Sequence, residues 1–360
     1  MHSISYYQEK MGNHFSQIVA NKEPKNLYEP IEYILSLGGK RMRPVLTLMA
    51  SEVFNVDCEK AIPAATAVEV FHNFSLIHDD IMDDAPLRRG NQTVHEKWDL
   101  NTGILSGDAM LILAYQYFEN YEPATFQKLA KLFSKTALEV CEGQQYDVDF
   151  ELRDDVTVPE YLKMIEYKTA VLVGAAMKMG AIVAETSDEN ADLIYDFGLN
   201  LGIAFQLQDD YLDAFGNPET FGKQVGGDII ENKKTYLYLK AIEFSKPEEK
   251  QQLLHLFSIQ PSDNSDKIES VKAIFNASGA SEATKRGEGL VIFDMTKDGG
   301  IPIIVNEIAF ARLADLKLRE IQDLEQACQE RDTFPRRDLI PEGEYRGPKD
   351  SPWVVSVLER

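Results

Sequence analysis

Two stretches, His78-Asp79-Asp80-Ile81-Met82-Asp83 and Gln208-Asp209-Asp210-Tyr211-Leu212-Asp213, repeat one Asp-Asp-x-x-Asp pattern, each at the end of a mostly apolar segment. On a helix, Asp79 shares a face with Asp83, and Asp209 with Asp213. Like charges so placed repel and weaken a bare helix. A chain that carries this arrangement twice points to a cation that offsets it. All-oxygen ligands favour a hard ion, and Mg²⁺ commonly sits between a few carboxylates and a substrate's phosphates. Asp79, Asp80, Asp83, Asp209, Asp210 and Asp213 are therefore candidate metal ligands. The plainer alternative, two solvated helix ends, fits one such cluster better than a matching pair.

Basic residues gather near both clusters. Gly38-Gly39-Lys40-Arg41-Met42-Arg43 sets glycines beside cations, which could wrap an anion with backbone N–H groups and side chains together. An ordinary helix cap followed by surface charge would read the same. Arg88-Arg89-Gly90 follows the first cluster beyond a turn at Asp84-Ala85-Pro86. Arginine forks match phosphate oxygens, although simple pairing with the aspartates is also open. Lys168, followed by Thr169, lies in an otherwise apolar stretch, which is costly unless it meets an anion. The polar loop from Phe215 to Lys234 holds Lys223, Asp228, Lys233 and Lys234. His72 lies two helical turns before Asp79, and Gln206 nearly one turn before Asp209. Metals, cations and apolar walls together suit a molecule with a diphosphate head and a hydrocarbon tail. Neutralised diphosphate is a good leaving group, and a dry pocket would shield an allylic carbocation from water.

The elements that must position these residues read as helices. Apolar periodicity predicts them over 3–21, from Leu27 to Gly38-Gly39, over 59–84, 102–119 and 123–150, and onward to about Ala283. Thr157-Val158-Pro159-Glu160 matches a capping box, and Ser187 is the expected cap of the helix that carries the second cluster. No strand alternation of any length precedes residue 285. Arg286 to Val305 has β-like runs and turn glycines, 306–330 returns to a charged helical pattern, and an irregular end follows.

Length and composition bound the rest. With 360 residues, 44% hydrophobic and 27% charged, a folded chain is expected. A net charge of −22 argues against nonspecific nucleic-acid binding, but not against an anionic substrate met by local cations. Cys58, Cys141 and Cys328 form no disulfide framework. The first residues lack a signal-peptide pattern, and the most apolar stretch, Ala170 to Ala184, is too short to span a bilayer. A cytoplasmic protein with no transmembrane segment is expected.

From roughly Tyr6 to Lys285 the chain resembles the trans-isoprenyl diphosphate synthases, the family of farnesyl and geranylgeranyl diphosphate synthases. Six motifs occur in the family's order: Gly-Gly-Lys-x-x-Arg at 38–43, His72, Asp79 to Asp83 with Arg88-Arg89-Gly90, Lys168-Thr169, Phe205-Gln206 with Asp209 to Asp213, and Gly222-Lys223 with Lys233-Lys234-Thr235. The resemblance implies an all-α fold, a single large helical bundle around a deep central cavity, usually as a homodimer. It implies Mg²⁺, up to three ions with diphosphate bound, held by Asp79 and Asp83 with Asp209 across the cavity. Arg88, Lys168, Lys223 and Lys233 would contact the allylic diphosphate. Lys40, Arg43, His72 and Arg89 would bind isopentenyl diphosphate, and Thr169 and Gln206 would line the cation site.

In this family the residues before the first aspartate form the floor of the tail tunnel. Phe74 lies roughly 7.5 Å and Phe71 roughly 12 Å down the helix from Asp79. Ser75 is small, and the cluster lacks the two-residue insertion of many bacterial farnesyl synthases. A geranylgeranyl product is expected, with farnesyl the alternative. A terpene cyclase would leave Lys40, Arg43 and Arg89 unexplained, and a non-catalytic subunit would be expected to lose one acid cluster. The resemblance sets a synthase domain at 1–285 apart from an atypical segment at 286–360, an insertion plus a final helix or an appended element.

Overall fold

Ser3 opens the first helix, α1 (Ile4–Phe15), by accepting a hydrogen bond from the Tyr6 N–H. The computed structural model describes residues 2–16, 18, 22–216 and 225–284. Segment 285–360, and with it the atypical end, lies outside the described residues, as do Gly222 and Lys223. In α1 the buried stripe is Tyr7, Met11 and Phe15, one residue every four. The helix expected to reach residue 21 closes at Phe15, where the Ser16 N–H turns back to the Gly12 carbonyl.

Pro24 caps α2 (Lys25–Ser36), which starts two residues before the expected Leu27. Gly38 and Gly39 then take positive φ, as does Arg41, and α3 (Met42–Val53) departs from that turn. The long apolar helix α4 (Ile62–Met82) has Pro63 in its first turn and Asp83 as its C-cap. A small hairpin follows, β1 (Leu87–Arg88) against β2 (Asn91–Gln92), with Arg88 opposite Asn91. It does not overturn the expectation of no strand alternation in this region, because two-residue strands are too short to show alternation. Arg89 (φ 54°) and Gly90 (φ 76°) make its turn, where positive φ at both central residues matches the twist of the strands.

Next come α5 (Val94–Lys97), α6 (Leu100–Phe118), α7 (Pro123–Glu151) and α8 (Val158–Ile165). Asp99 caps α6, and the Thr157–Glu160 capping box opens α8 as the sequence predicts. A π-helical turn, Glu166–Ala170, joins α8 to α9 (Val171–Val183). Ser187 caps α10 (Asp188–Phe215), again as predicted. Helices at Tyr236–Phe244, Pro247–Leu256 and Ser265–Ser278 complete the described chain.

The segment flagged as most apolar becomes the central helix. Every residue of α9 except Lys178 is buried. It packs on α3, α4, α7 and α10 together. Burying each Val, Ile, Leu or Met there stabilises the fold by about 1.5–3 kcal/mol relative to exposure. Among the described residues no helix is long and apolar enough to cross a membrane. A second core forms where Phe150, Tyr161, Ile165, Leu207, Leu237 and Phe275 meet, tying the end of α7 and the middle of α10 to the last helices. The result is an all-α bundle that brings the ends of α4, α7 and α10 and the π-turn to one site.

Candidate active site

The last turn of α4 carries Asp79 and Asp80, and adjacent helix positions point about 100° apart. Asp80 is buried and takes a two-pronged bond from Arg88, with Nε 2.8 and 2.9 Å from its oxygens and Nη2 2.7 Å from Oδ1. Asp79 lies 3.6 Å from the Arg88 guanidinium and 3.6 Å from the Lys168 ammonium. Its Oδ1 is buried with no hydrogen-bond partner. Burial, and then the charge of Asp79, push the Asp83 carboxyl up to about 6, against the pull of Lys233 and Lys168.

The second cluster, near the end of α10, repeats the division. Asp210 is buried and accepts from the Tyr161 hydroxyl, from Gln206 Nε2 at 3.1 Å and from the Tyr236 N–H at 3.3 Å. Burial pushes its carboxyl up to about 7 in spite of these donors. Asp213 accepts from the Asp228 N–H at 3.1 Å. The Asp228 carboxyl sits well above its usual range through burial and then the charge of Asp213. Lys233 follows on the same loop, 2.8 Å from Glu231. Burial opposes its charge, but Glu231, Asp228 and Asp83 hold its ammonium above the ordinary range. Lys234 turns away and donates to the carbonyls of Phe150, Glu151 and Arg153 at the end of α7, where a cation suits the helix dipole.

Lys168 stands between the clusters. It bonds Asp147 of α7 as well as facing Asp79. Burial would lower its pKa, yet the charges of Asp147 and Asp79 raise it. The π-turn that presents it lies hard against Gly143: a Cβ there would come within 2.1 Å of the Lys168 backbone nitrogen. Thr169 donates to Gln206 Oε1 at 3.2 Å, which connects the π-turn to α10.

A separate basic group forms where the hairpin meets the α2–α3 turn. Arg89 donates to the Gly38 carbonyl and lies over Gly39, where a Cβ would meet its guanidinium at 2.8 Å. Arg43 Nη1 donates to His72 Nε2 at 3.2 Å, so this nitrogen carries no proton. Burial, and then Arg43, hold the His72 pKa well below its usual value. Glu69, buried one turn before Asn73, faces this group; burial raises its pKa and the charges of Arg43 and Arg89 oppose the rise. The Lys40 side chain is exposed beside them.

Below Asp79 along α4 the walls are aromatic. Phe74 packs on His78 with ring centres 4.8 Å apart and on Phe71 at 5.4 Å. Phe71 is fully buried and meets Phe133 of α7 edge-on at 5.1 Å. Ser75 turns its hydroxyl back to the His72 carbonyl.

A family model described as polyprenyl synthetase matches residues 24–275. The chain belongs to the polyprenyl synthetase family. It is similar to the geranylgeranyl diphosphate synthase of Methanosarcina mazei, 43% identical over 222 residues, or 61% of this chain and 68% of that one. It is also similar to the geranylfarnesyl diphosphate synthase of Natronomonas pharaonis, 40% identical over 259 residues, 66% of this chain and 75% of that one. A crystal structure of a geranylgeranyl pyrophosphate synthase superposes with a TM-score of 0.80 at 55% identity, covering 82% of this chain and 92% of that one. This polyprenyl synthetase is thus a prenyltransferase of the short-chain trans type, and the expected fold and enzyme class hold.

Of the residues singled out from the sequence as metal or diphosphate ligands or as lining of the cation site, those described gather in two places. Asp79, Asp80, Asp83, Arg88, Lys168, Thr169, Gln206, Asp209, Asp210, Asp213 and Lys233 surround the paired clusters. Lys40, Arg43, His72 and Arg89 form the separate basic group. Sequence reading missed Asp147, Tyr161 and Glu69. Glu69 had a usable signal, since it is a lone charge inside the apolar run from Ala61 to Phe71, the same argument that picked out Lys168. Tyr161 and Asp147 gave none, because only the tertiary fold brings them to Asp210 and Lys168.

Proposed function

We propose that this polyprenyl synthetase condenses isopentenyl diphosphate with an allylic diphosphate, head to tail, in a Mg²⁺-dependent reaction yielding geranylgeranyl diphosphate. The observation that carries the reading is the orphaned Asp79 Oδ1, buried without a donor and flanked by Arg88 and Lys168. A buried carboxylate oxygen with no donor suits a hard cation. Asp79, Asp83, Asp209 and Asp213 would hold the metal, up to three ions with diphosphate bound, while Asp80 and Asp210 are engaged with Arg88 and Tyr161. The metal supplies charge neutralisation of the departing diphosphate.

The chain's own groups do the rest. Arg88, Lys168 and Lys233, with Lys223, hold the allylic diphosphate. Lys40, Arg43, Arg89 and neutral His72 hold isopentenyl diphosphate, with Glu69 balancing part of their charge. Gln206, oriented by Asp210, and Thr169 line the place where the allylic cation forms. None of these side chains is an obvious base, so the proton goes to the departing diphosphate. Phe74 and Phe71 with Ser75 set the tail's length, and the fully buried contact of Phe71 with Phe133 supports a floor at that depth. A homodimer fits the exposed apolar side chains Leu105 and Ile112 on α6.

A product assay tests the reading. The protein is given Mg²⁺, isopentenyl diphosphate and, separately, dimethylallyl, geranyl or farnesyl diphosphate, and the hydrolysed products are sized. A dominant twenty-carbon alcohol is expected, and Phe71→Ala should lengthen it. A fifteen-carbon stop would move the floor to Phe74 and make the chain a farnesyl synthase. A twenty-five-carbon product would remove Phe71 as a floor. Folded protein with no turnover on any primer would sink the reading.

A further inference from the structure

Just past the first acid cluster, Asp84, His95 and Glu96 converge. Each offers one ligand atom, and these atoms all lie within 4.8 Å of one another. The backbone brings them in from two directions. Asp84, just past α4, takes a left-handed conformation with φ 49°. The hairpin segment then closes on itself: the Thr93 N–H bonds the Pro86 carbonyl at 3.1 Å and its hydroxyl bonds the Ala85 carbonyl at 2.7 Å. His95 and Glu96 follow at once on α5.

The imidazole is the second observation. The His95 side chain is 9% exposed, and both ring nitrogens are buried with no hydrogen-bond partner. Its Nε2 is 3.9 Å from Glu96 Oε1, too far for a hydrogen bond. A buried polar group left so is costly. A cation between the three side chains would take the imidazole lone pair and both carboxylates. Two carboxylates alone would favour a hard ion, but the imidazole shifts preference toward zinc and its neighbours. The exposed Asp84 and Glu96 are free to close the remaining gap, because tetrahedral ligands about 2.0–2.2 Å from zinc lie closer together than these atoms do.

We propose that Asp84, His95 and Glu96 bind a divalent transition-metal ion of the Zn²⁺ type, separate from the aspartates of the diphosphate site. The ion would fasten the start of the hairpin segment to α5, and so clip the loop that presents Arg88 and Arg89. This does not depend on the identity of the prenyl product.

Metal-stripped full-length protein titrated with ZnCl₂ by calorimetry, in excess Mg²⁺ and without diphosphate, tests the proposal. Mg²⁺ competes for the all-oxygen clusters but poorly for a site with imidazole. One equivalent of zinc should bind, with an imidazole in its X-ray absorption spectrum. Loss of a ligand should weaken binding by more than the roughly 10–100-fold that removal of an outer-shell partner causes. His95→Ala reads this directly. Asp84→Asn and Glu96→Gln read it at exposed positions should His95→Ala fail to fold. Asp79→Asn should bind zinc as the parent does. Folded parent protein that takes up no zinc, equal affinity in parent and Asp84→Asn, or a spectrum without imidazole would each overturn the site.

Discussion

Asp79 and Asp80 are neighbours in sequence, but the helix turns them apart and each meets a different environment. Asp80 is buried on Arg88, whereas Asp79 keeps an oxygen without a donor. The sequence shows that an acid cluster exists; which aspartate is structural depends on Arg88, which returns from the hairpin. His72 is a second case. Burial and Arg43 keep it neutral in the folded chain, while in the unfolded chain it titrates near its usual 6.5. The unfolded state therefore binds more protons below that pH, and stability falls as pH drops through about 6.5, by up to roughly 1.4 kcal/mol per pH unit from this site. Denaturant unfolding of the parent and His72→Gln at pH 7.5 and 5.5 checks it. The parent should lose more stability than the variant between the two; equal losses would mean that His72 is protonated when folded. The spacing from His72 to Asp79 was readable in the sequence, but the pairing with Arg43 was not, because it joins α3 to α4.

At the scale of elements, the π-turn Glu166–Ala170 departs most from what a pattern can show. The apolar period runs through it without a break, so sequence reading sees one helix where α8, the turn and α9 lie end to end. The turn's cause is tertiary: Gly143 of α7 lets the two backbones touch, and Lys168 is presented from the point of contact. Gly143→Ala would force a Cβ to 2.1 Å from the Lys168 backbone nitrogen. Overpacking of this kind costs about 1–3 kcal/mol. We expect a lower melting temperature and, because Lys168 must shift, a fall in kcat for prenyl transfer. Wild-type melting and turnover in this variant would show that the turn tolerates a side chain. The caps at Thr157 and Ser187, by contrast, were legible because capping is local chemistry.

At the scale of the whole molecule, the all-α class was legible because buried helices leave long apolar runs with few strand signals. The hairpin was not, since each strand has two residues. Leu105 and Ile112 on α6 are each 59% exposed, two turns apart on one face. In the proposed homodimer the partner would cover this face of α6. Sedimentation of the parent should give a dimer, and Leu105→Glu with Ile112→Glu a monomer. A double variant that stays dimeric would place the interface elsewhere.

The resting ion pairs of Asp79 carry a further consequence. Arg88 and Lys168 both lie 3.6 Å from this carboxylate, so they act as its internal counterions. A metal ion arriving at Asp79 would displace part of that attraction and leave Arg88, still bonded to Asp80, and Lys168, still bonded to Asp147, with more positive charge to offer the place proposed for the allylic diphosphate. An arriving diphosphate would in turn draw both away and bare the carboxylate. Each ligand then raises the other's affinity by the same factor, as thermodynamic linkage requires. Heterotropic cooperativity between metal and anion would be built into three side chains, with no movement of a helix.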